Sequence, residues 1–245
     1  MIRPDLSGSY LSIISHARPS NVQKMTALVG EATWFVGVGE APAYQAAGAA
    51  AVIESGQLCH SRNVGIDAAQ AAGGACVQLS DDLTKLQVAV QGPGKLIAQT
   101  ATFDECVRRI LEGMAGVGAR LGGAAPTANP FYANIKRPVH SGAFIVGDFI
   151  VVGKDCDLRF NEHMTLKEDY DYTLQHVMRY GVVARRDDVL ATFQHRSNPG
   201  GAVAVRTAEL EQENIAILRA TWGGFIADNP RRPNEILLKL PRAPR

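Results

Sequence analysis

The sequence predicts an α/β fold in which helices flank a single, mostly parallel sheet. Through residue 80, four short apolar segments alternate with patterns typical of helices. Strands that alternate with helices at this spacing are typical of βαβ units and a parallel sheet. Ligands of such sheets gather where the strands reach their carboxyl ends. We therefore expect the functional residues to follow the predicted strands directly.

The predicted elements of the first half are short. The strands are residues 10–15 (YLSIIS), 34–38 (WFVGV), 51–54 (AVIE) and 75–79 (ACVQL). The helices lie between them: one opens at Pro19 and carries Val22, Met25, Leu28 and Val29, and the others cover residues 41–50 and 63–72. Proline suits a helix start because the N–H that it lacks would have no helical partner there.

The second half is less regular. Apolar residues at helical spacing predict helices over residues 103–119, 166–180 and 209–222, and apolar runs predict strands over residues 144–152 and 189–193. Residues 115–134 are rich in Gly, Ala, Pro and Asn and are predicted to form a flexible connection. We find no linker that would split the chain, so residues 1–245 are expected to form one domain.

Composition limits the class of protein. The chain has 245 residues, 46% of them apolar, and a net charge of +1, which excludes a disordered, collagenous or disulfide-rich protein. A near-zero charge argues against a protein that coats nucleic acid. The four cysteines are widely spaced, as expected of reduced thiols. No signal peptide and no run of about 18 apolar residues is evident, so we expect a cytoplasmic protein without a membrane partner; its oligomeric state stays open.

The most informative motif is Ser80-Asp81-Asp82, two adjacent carboxylates that follow an apolar strand. Mg²⁺ and Mn²⁺ prefer oxygen ligands of this kind together with substrate phosphates. The alternative is an Asp-rich turn that caps residues 83–86. Taken alone, the pair of aspartates favours the turn.

Polar residues also follow the first two predicted strands. His16 and Arg18 precede a helix start, where backbone N–H groups suit a phosphate and arginine can bind it through two hydrogen bonds. Glu40 follows the second strand and would also suit a helix N-terminus on dipole grounds alone. Each of these residues has a plain surface role as its alternative, and for Glu40 the two roles are about equally supported.

Two candidates lie in the second half. Glu168 and Asp169 begin a predicted helix, and a carboxylate there could take a proton as a general base, an effect worth ~10²–10⁴ in rate. Asp169 is the first choice and Glu168 the second. Asp171 is a competitor, because three carboxylates in four residues also complement a helix dipole. His195 ends the strand at residues 189–193, and neutral imidazole is a suitable ligand for Mn²⁺-like ions.

The segment from Arg62-Asn63 through Gly73-Gly74 to Ser80-Asp81-Asp82 resembles nucleotide-sugar glycosyltransferases of the GT-A fold. The resemblance implies that Arg62, Asn63, Ser80 and Asp81 bind the nucleotide sugar together with His16, Arg18 and Glu40, the last on the uracil or ribose. It implies a metal on Asp82, Asp81 and His195, and a catalytic Glu-Asp motif at Glu168 and Asp169. Asn63 could instead be a helix cap.

Five segments together resemble the TET/JBP-associated glycosyltransferases, which are typically encoded by bacteriophages: ISHARPSNVQKM, IESGQLCHSRNVG, VQLSDDL, LKEDYDYTLQHVMRYG and HRSNPGG. The resemblance implies transfer of a sugar from a nucleotide sugar, a UDP-sugar above all, to 5-hydroxymethylcytosine or another hydroxymethylpyrimidine in DNA, with Mn²⁺ or Mg²⁺ as cofactor and the host cytoplasm as location. The motif here is Ser-Asp-Asp rather than Asp-x-Asp, which places the metal on Asp82 first. A protein hydroxyl as acceptor, a sugar nucleotidyltransferase and a non-catalytic nucleic-acid-binding module are the alternatives.

The resemblance also divides the expected domain. Residues 1–100 would bind the nucleotide sugar, residues 101–228 would hold the acceptor and the base, and residues 229–245 would form a basic tail. That tail carries five basic residues against one acid. Arg231, Arg232 and Lys239 are its candidates for contacts with DNA phosphates, unless the tail is merely solvated or closes over the donor. Arg185 and Arg186 are a second basic pair, which Asp187 and Asp188 should cancel.

Overall fold

The computed structural model describes residues 2–3, 6, 8–194, 207–232 and 235–241. Its helices are α1 (Val22–Val29), α2 (Ala41–Ala46), α3 (Leu58–Ala71), α4 (Phe103–Val117), α5 (Glu168–Tyr180) and α6 (Ala208–Trp222). Its strands are β1 (Ile2–Arg3), β2 (Ser9–Ile14), β3 (Thr33–Val36), β4 (Ala51–Glu54), β5 (Cys76–Ser80), β6 (Leu83–Gln91), β7 (Leu96–Thr100), β8 (Leu121–Ala124), β9 (Val139–His140), β10 (Phe149–Val152), β11 (Ala184–Arg186), β12 (Val189–Phe193), β13 (Ile226–Asp228) and β14 (Ile236–Leu238).

Nine strands form the central sheet, in the order β4-β3-β2-β5-β10-β8-β11-β9, with β1 also paired to β2. The pairings of β2 with β3 and β5, β3 with β4, and β8 with β11 are parallel. β10 is antiparallel to both β5 and β8. Six of the nine strands therefore run in one direction, which confirms the prediction of an α/β fold with a mostly parallel sheet.

Helices cover both faces of this sheet. One apolar cluster contains residues of α1, α2 and α4, and a second contains residues of α3, α5 and α6. Helix α3 approaches the sheet closely at Gly65, where a Cβ would lie 3.1 Å from Ser12 Oγ and 3.2 Å from Gln78 Nε2. In the part of the chain that the structure describes, no helix is long and apolar enough to cross a membrane.

Two small sheets accompany the large one. The hairpin of β6 and β7 pairs with β12 through β6, and β13 pairs with β14. The prediction of a single sheet is therefore wrong in the number of sheets, since two small sheets accompany the central one. Asp81 and Asp82 do form a turn, as the alternative interpretation had it, but this turn precedes the nine-residue strand Leu83–Gln91 rather than a short element over residues 83–86.

The predicted elements of the first half and the predicted helices α4, α5 and α6 are confirmed within a few residues. Helix α3 begins five residues earlier than predicted and takes Arg62 and Asn63 into its interior. The strand predicted over residues 34–38 ends at Val36, the helix predicted over residues 41–50 ends at Ala46, and within residues 144–152 only Phe149–Val152 is a strand.

The prediction of a flexible connection over residues 115–134 is wrong, because this segment contains the buried strand β8. Its Gly122 and Gly123 have no room for side chains. A Cβ on Gly122 would lie 2.7 Å from Ile110 and Met114 of α4, and one on Gly123 would lie 2.6 Å from Ile145 and 3.1 Å from the Phe149 carbonyl oxygen. Glycine here marks close packing on both faces rather than a loop.

Gly123→Ala should therefore lower the free energy of unfolding by about 1–3 kcal/mol, because an added methyl overpacks this site. Gly116→Ala is the matched control, since Gly116 lies in α4 with open space around its Cα. It should be neutral or raise stability by up to about 1 kcal/mol through helix propensity. Urea denaturation of both variants measures the difference; equal stabilities would contradict the packing account.

Candidate active site

The polar residues predicted from the sequence gather at one edge of the central sheet, where β2 and β5 end. β3 and β4 extend from β2 to one side and β5 extends to the other, so the strand order reverses between β2 and β5. In parallel α/β sheets, ligands bind outside the carboxyl ends of the strands at such a reversal. β10 is antiparallel to β5, so the residues just before β10 lie at the same edge: the Ser80 N–H donates to the Asp148 carbonyl oxygen at 2.9 Å.

A closed ring of hydrogen bonds lies at the end of β2. The Arg18 backbone N–H donates to the Tyr44 hydroxyl at 3.0 Å, that hydroxyl bonds to Ser15 Oγ, and Ser15 Oγ donates to Asp81 Oδ2. The Arg18 side chain closes the ring through Nη1 to Asp81 Oδ1 at 2.9 Å. Burial raises the pKa of Asp81, although Ser15 and Arg18 act in the opposite direction. Both oxygens of Asp81 are thus engaged by protein donors.

These contacts change the roles predicted for Arg18 and Asp81. Arg18 is buried rather than exposed to a phosphate, and its guanidinium balances the charge of Asp81. Its Nη1 also lies 4.0 Å from Asp82 Oδ2. The arginine therefore sits between the two carboxylates and lowers the cost of burying them side by side.

Asp81 and Asp82 are the candidate carboxylates for a divalent cation, with Asp82 as the first choice from the sequence. Both carboxylates are 3% exposed, and Mg²⁺ commonly uses one or two carboxylates completed by substrate phosphates and water. Within the described ranges there is no group of three His, Cys, Asp or Glu side chains able to hold a metal. The predicted ligand His195 lies outside the described residues. Gln194, which precedes it, donates its N–H to the Asp82 carbonyl oxygen at 3.0 Å.

His16 and Glu40 meet at the exposed end of β2 and β3. His16 Nδ1 lies 2.7 Å from Glu40 Oε1, and Glu40 also accepts hydrogen bonds from the Ala17 and Gly37 N–H groups. Ala17 has a φ of 57°, a strained value for a residue with a side chain. A Cβ on Gly37 would lie 2.7 Å from the Glu40 carboxylate. Glu40 therefore fixes the loop after β2, in addition to any contact with a ligand.

Arg62 is buried inside α3. Its Nη2 donates to the Gly147 carbonyl oxygen at 3.0 Å and to Glu168 Oε1 at 3.1 Å, and its Nη1 donates to Gln78 Oε1 at 3.3 Å. The guanidinium also lies 5.2 Å from the centroid of the Phe160 ring. The structure makes Arg62 a positioning residue that joins α3, β5 and the start of α5.

Asn63 is neither a helix cap nor open to a ligand. The N-terminal cap of α3 is Gln57. The Asn63 amide is 7% exposed, accepts from the Phe160 N–H at 2.8 Å, and donates to the Phe160 carbonyl oxygen and to Glu162 Oε1. Both ends of the amide are bonded to the segment before α5, so this side chain also acts by positioning.

Asp169 is the candidate base at the site. Its Oδ2 accepts the Gly147 N–H at 3.1 Å, which holds the carboxylate beside Asp148 at the edge of the sheet. Burial, above all, and the negative charges of Glu168 and Asp148 raise the pKa of Asp169 to about 7. The second choice, Glu168, is committed to Arg62. A carboxyl group with its pKa near neutrality is suited to general base catalysis.

The competitor Asp171 has a structural role. It accepts a hydrogen bond from Trp222 Nε1 at 2.7 Å and one from Gln175 at 2.6 Å, which fastens the end of α6 to α5. His176, on the same helix, is fully buried against Tyr172 and Cys156, and burial lowers its pKa to about 4.

The three tail residues proposed to contact DNA take no part in these contacts. Arg231, Arg232 and Lys239 are exposed and belong to the β13–β14 ribbon and its connection, and β13 packs on α6. Arg232 pairs with Glu235 at 3.2 Å. The prediction that Asp187 and Asp188 cancel Arg185 and Arg186 is confirmed: the pairs lie at 2.6 and 2.8 Å.

Sequence analysis missed two members of the site. Ser80 Oγ donates to Asp148 Oδ1 at 3.2 Å, and Asp148 lines a cavity of about 200 Å³ with residues 124–128, Val146, Phe149 and residues 191–193. An acid inside the apolar run FIVGDFIVV was the available signal for Asp148. Tyr44, the other missed residue, carried no signal, because its role depends on contacts with Ser15 and Arg18 that lie 29 and 26 residues away.

The raised pKa of Asp169 predicts a pH-dependent gain in stability for Asp169→Asn. A carboxyl whose pKa rises on folding stabilises the protein fully below its unfolded pKa of about 4, and this contribution is lost as the pH rises through about 7. The variant cannot ionise, and its amide oxygen can accept the Gly147 N–H, whereas the hydrogen bond from the Tyr170 N–H to Oδ1 is lost. That loss does not depend on pH. Its melting temperature relative to the native protein should therefore climb between pH 4 and 8. The exposed control Glu213→Gln should show no such trend, and a flat difference for Asp169→Asn would contradict the account.

Comparison with known proteins finds likeness among solved structures. The chain matches no protein-family model and no curated protein. Among solved structures, it is similar to S. aureus TarS 1–349, solved in complex with UDP-GlcNAc, with a TM-score of 0.49 and 11% sequence identity. The match covers 85% of this chain and 66% of that one, so the chain spans just under two thirds of the length of TarS 1–349.

Proposed function

We propose that this chain is a GT-A-type glycosyltransferase that moves a sugar from a nucleotide sugar, with a UDP-sugar favoured, to the hydroxyl of 5-hydroxymethylcytosine or another hydroxymethylpyrimidine in DNA. One observation carries the proposal. The acidic pair Asp81-Asp82, suited to a diphosphate and its cation, and the carboxyl of Asp169, suited to take a proton, lie at the same edge of the sheet on either side of Ser80 and Asp148.

The reaction needs these two groups on opposite sides of one bond. The acceptor hydroxyl gives its proton to Asp169, its oxygen forms a bond to the anomeric carbon of the sugar, and the bond from that carbon to the diphosphate breaks with its electron pair on the diphosphate. A hydroxyl is a poor nucleophile near pH 7, so a positioned base is worth ~10²–10⁴ in rate. Asp169 supplies that base because Glu168 is neutralised by Arg62.

The donor would lie across the ends of β2, β3 and β5, within residues 1–100. His16 and Glu40 form the exposed part of this edge, where Glu40 is the candidate for the uracil or ribose. Arg18 and Asp81 form its buried part, next to Ser80. Arg62 and Asn63 would contribute indirectly, by positioning the segments that they bind through the hydrogen bonds described above.

Asp82 would hold Mg²⁺ or Mn²⁺ together with the donor's phosphates, with Asp81 and His195 as the other proposed ligands. Such an ion neutralises the charge that grows on a departing diphosphate. The adjoining Arg18 supplies part of the same positive charge from the protein itself. Residues 101–228 would then provide the acceptor side, and the tail at residues 229–245 would add phosphate contacts through Arg231, Arg232 and Lys239.

A protein hydroxyl is the second acceptor to consider, since the eukaryotic branch of the resembling family is associated with transfer to protein. A sugar nucleotidyltransferase is less favoured, because the loop after β2, SHARPSNV, lacks the Gly-rich, basic sequence that such enzymes use. A non-catalytic nucleic-acid-binding module has no need of the Asp81-Asp82 pair or of a carboxyl held at Gly147.

The test is a transfer assay with labelled nucleotide sugars. The protein is incubated with a panel of UDP-, GDP- and TDP-sugars and Mn²⁺ or Mg²⁺, in the presence of hydroxymethylcytosine DNA, unmodified DNA or a protein acceptor. Label on hydroxymethylcytosine DNA alone is the expected result, and removal of the metal with EDTA should abolish it. No label on any acceptor with any donor would refute the proposal. Label on protein alone would refute DNA as the acceptor and support a protein hydroxyl instead.

Asp82→Asn and Asp169→Asn should separate donor binding from chemistry. Asp169→Asn should lower kcat at least about 100-fold because it removes the base, while calorimetry shows donor affinity unchanged. Asp82→Asn should weaken the binding of donor with metal. The exposed control Asp67→Asn, which loses an ion pair with Arg159, should alter neither.

The native rate should rise with pH and level off above a midpoint near 7, as Asp169 loses its proton. Full transfer activity in Asp169→Asn, or a rate independent of pH between 5 and 8, would contradict the assignment of the base.

A further inference from the structure

Two aromatic rings stand exposed on the loop that follows β8. Phe131 is 78% exposed and Tyr132 is 68% exposed, against 0–2% for the large core side chains. Their centroids are 5.2 Å apart with the rings perpendicular. Exposed apolar patches of this kind commonly mark a binding surface. We call residues 125–138 the aromatic loop.

The aromatic loop is held in shape by its own sequence. Pro130 opens a short 3₁₀ turn over Pro130–Tyr132, and the Asn129 side chain accepts the Phe131 N–H at 3.0 Å. The Asn134 side chain accepts the Arg137 N–H at 3.0 Å. Prolines at positions 126, 130 and 138 further restrict the backbone. The two rings are thus presented with little conformational entropy left to lose on binding.

The charge of this surface is positive. Residues 125–147 contain Lys136, Arg137 and His140, all three exposed, and no acid. Tyr132 also borders a small cavity lined by Arg185 and Asp187. His140 lies 3.8 Å from Asp187 Oδ2, whereas Lys136 and Arg137 have no acidic partner among the described residues. Exposed aromatic rings beside these two cations suit a polyanion that carries flat rings, whereas a neutral carbohydrate would not require the cations.

The position of the loop connects it to the candidate site. β8 runs in the same direction as β5, because both are antiparallel to β10. The aromatic loop therefore leaves the sheet at the edge that holds Ser80, Asp81 and Asp82. Residues 124–128 line the cavity of about 200 Å³ that Asp148 also lines, and the charge of Asp148 acts on Asp169. The same cavity is lined by Val146 and Asp148, the neighbours of Gly147, whose N–H binds Asp169. A group that rests on the loop can thus reach into a cavity next to the segment that holds the candidate base.

We propose that the aromatic loop is the surface that binds the nucleic-acid acceptor. Phe131 and Tyr132 stack on bases, Lys136 and Arg137 contact phosphates, and the acceptor base turns out of its stack into the cavity beside Asp148. The identity of that base rests on the proposed function; the binding surface does not. The surface differs from the tail residues Arg231, Arg232 and Lys239, which lie on the β13–β14 ribbon and its connection.

Fluorescence anisotropy with a labelled hydroxymethylcytosine oligonucleotide, single-stranded and as a duplex, tests the loop without any donor. Phe131→Ala with Tyr132→Ala should weaken binding at least about fivefold per ring, with the salt dependence unchanged. Lys136→Ala with Arg137→Ala should reduce the slope of log K against log salt on the duplex by about 1.8, since each phosphate contact contributes about 0.9. All four side chains are exposed, so the melting temperature should not change.

The matched control is Lys24→Ala with Lys154→Ala. Both side chains are exposed; Lys24 lies on α1, and Lys154 follows the carboxyl end of β10 at the opposite edge of the sheet. This double variant should bind DNA like the native protein.

Native protein that fails to bind DNA at low salt, or binding unaffected in Phe131→Ala with Tyr132→Ala, would overturn the inference. The two proposals fail separately. If the native protein binds DNA through the loop but transfers no sugar, the proposed glycosyltransferase function is refuted and the loop proposal stands. If the loop variants transfer sugar to DNA with an unchanged KM for DNA, the loop proposal is refuted and the glycosyltransferase function stands. Transfer to protein alone without DNA binding would refute the loop.

Discussion

The arrangement of the site depends on the buried ion pair between Arg62 and Glu168. Both side chains are at most 10% exposed, and burying an isolated charge costs several kcal/mol. That cost is offset because Arg62 reaches Glu168, the Gly147 carbonyl oxygen and Gln78 at once. These partners belong to α5, to the segment before β10 and to β5. One guanidinium thereby fixes the start of α5 against the sheet, and Asp169 is the next residue.

The pair also explains how two neighbouring carboxylates can have different properties. Glu168 has its charge balanced by Arg62, while Asp169 has two backbone N–H donors, Gly147 and Tyr170, and two negative neighbours. Pairs of titratable groups whose environments separate their pKa values are typical of acid–base sites. A similar arrangement is found at the other end of this edge of the sheet. Arg18 balances the charge of Asp81 at 2.9 Å and lies farther, at 4.0 Å, from Asp82. In each case an arginine balances the charge of one acid, and the neighbouring acid is the one that we propose for a ligand or a proton.

The local signals in the sequence predicted much of this site, and contacts between distant residues account for the remainder. Strand ends marked by Ser80-Asp81-Asp82, and the helix start at Glu168-Asp169, follow from hydrophobic patterning over a few residues. The roles of Arg62 and Asn63 do not, because all their partners but Gln78 lie 85 to 106 residues away and only the fold buries them. Strand β8 was missed because Gly122 and Gly123 are typical of loops in sequence. In the structure, these glycines are required because neighbouring atoms leave no room for side chains. Because β8 was not recognised, most of the aromatic loop that follows it was also predicted to be flexible.

The most direct test of the account is the titration of Asp169 itself, followed by carboxyl ¹³C NMR in the ligand-free protein. The account predicts a midpoint near pH 7, because burial and the charges of Glu168 and Asp148 oppose ionisation. It also requires this midpoint without donor, metal or DNA, since every contributing group belongs to the chain. A midpoint near 4, the ordinary value for an aspartate, would show that the edge of the sheet does not hold a carboxyl prepared to accept a proton, and would contradict the central claim.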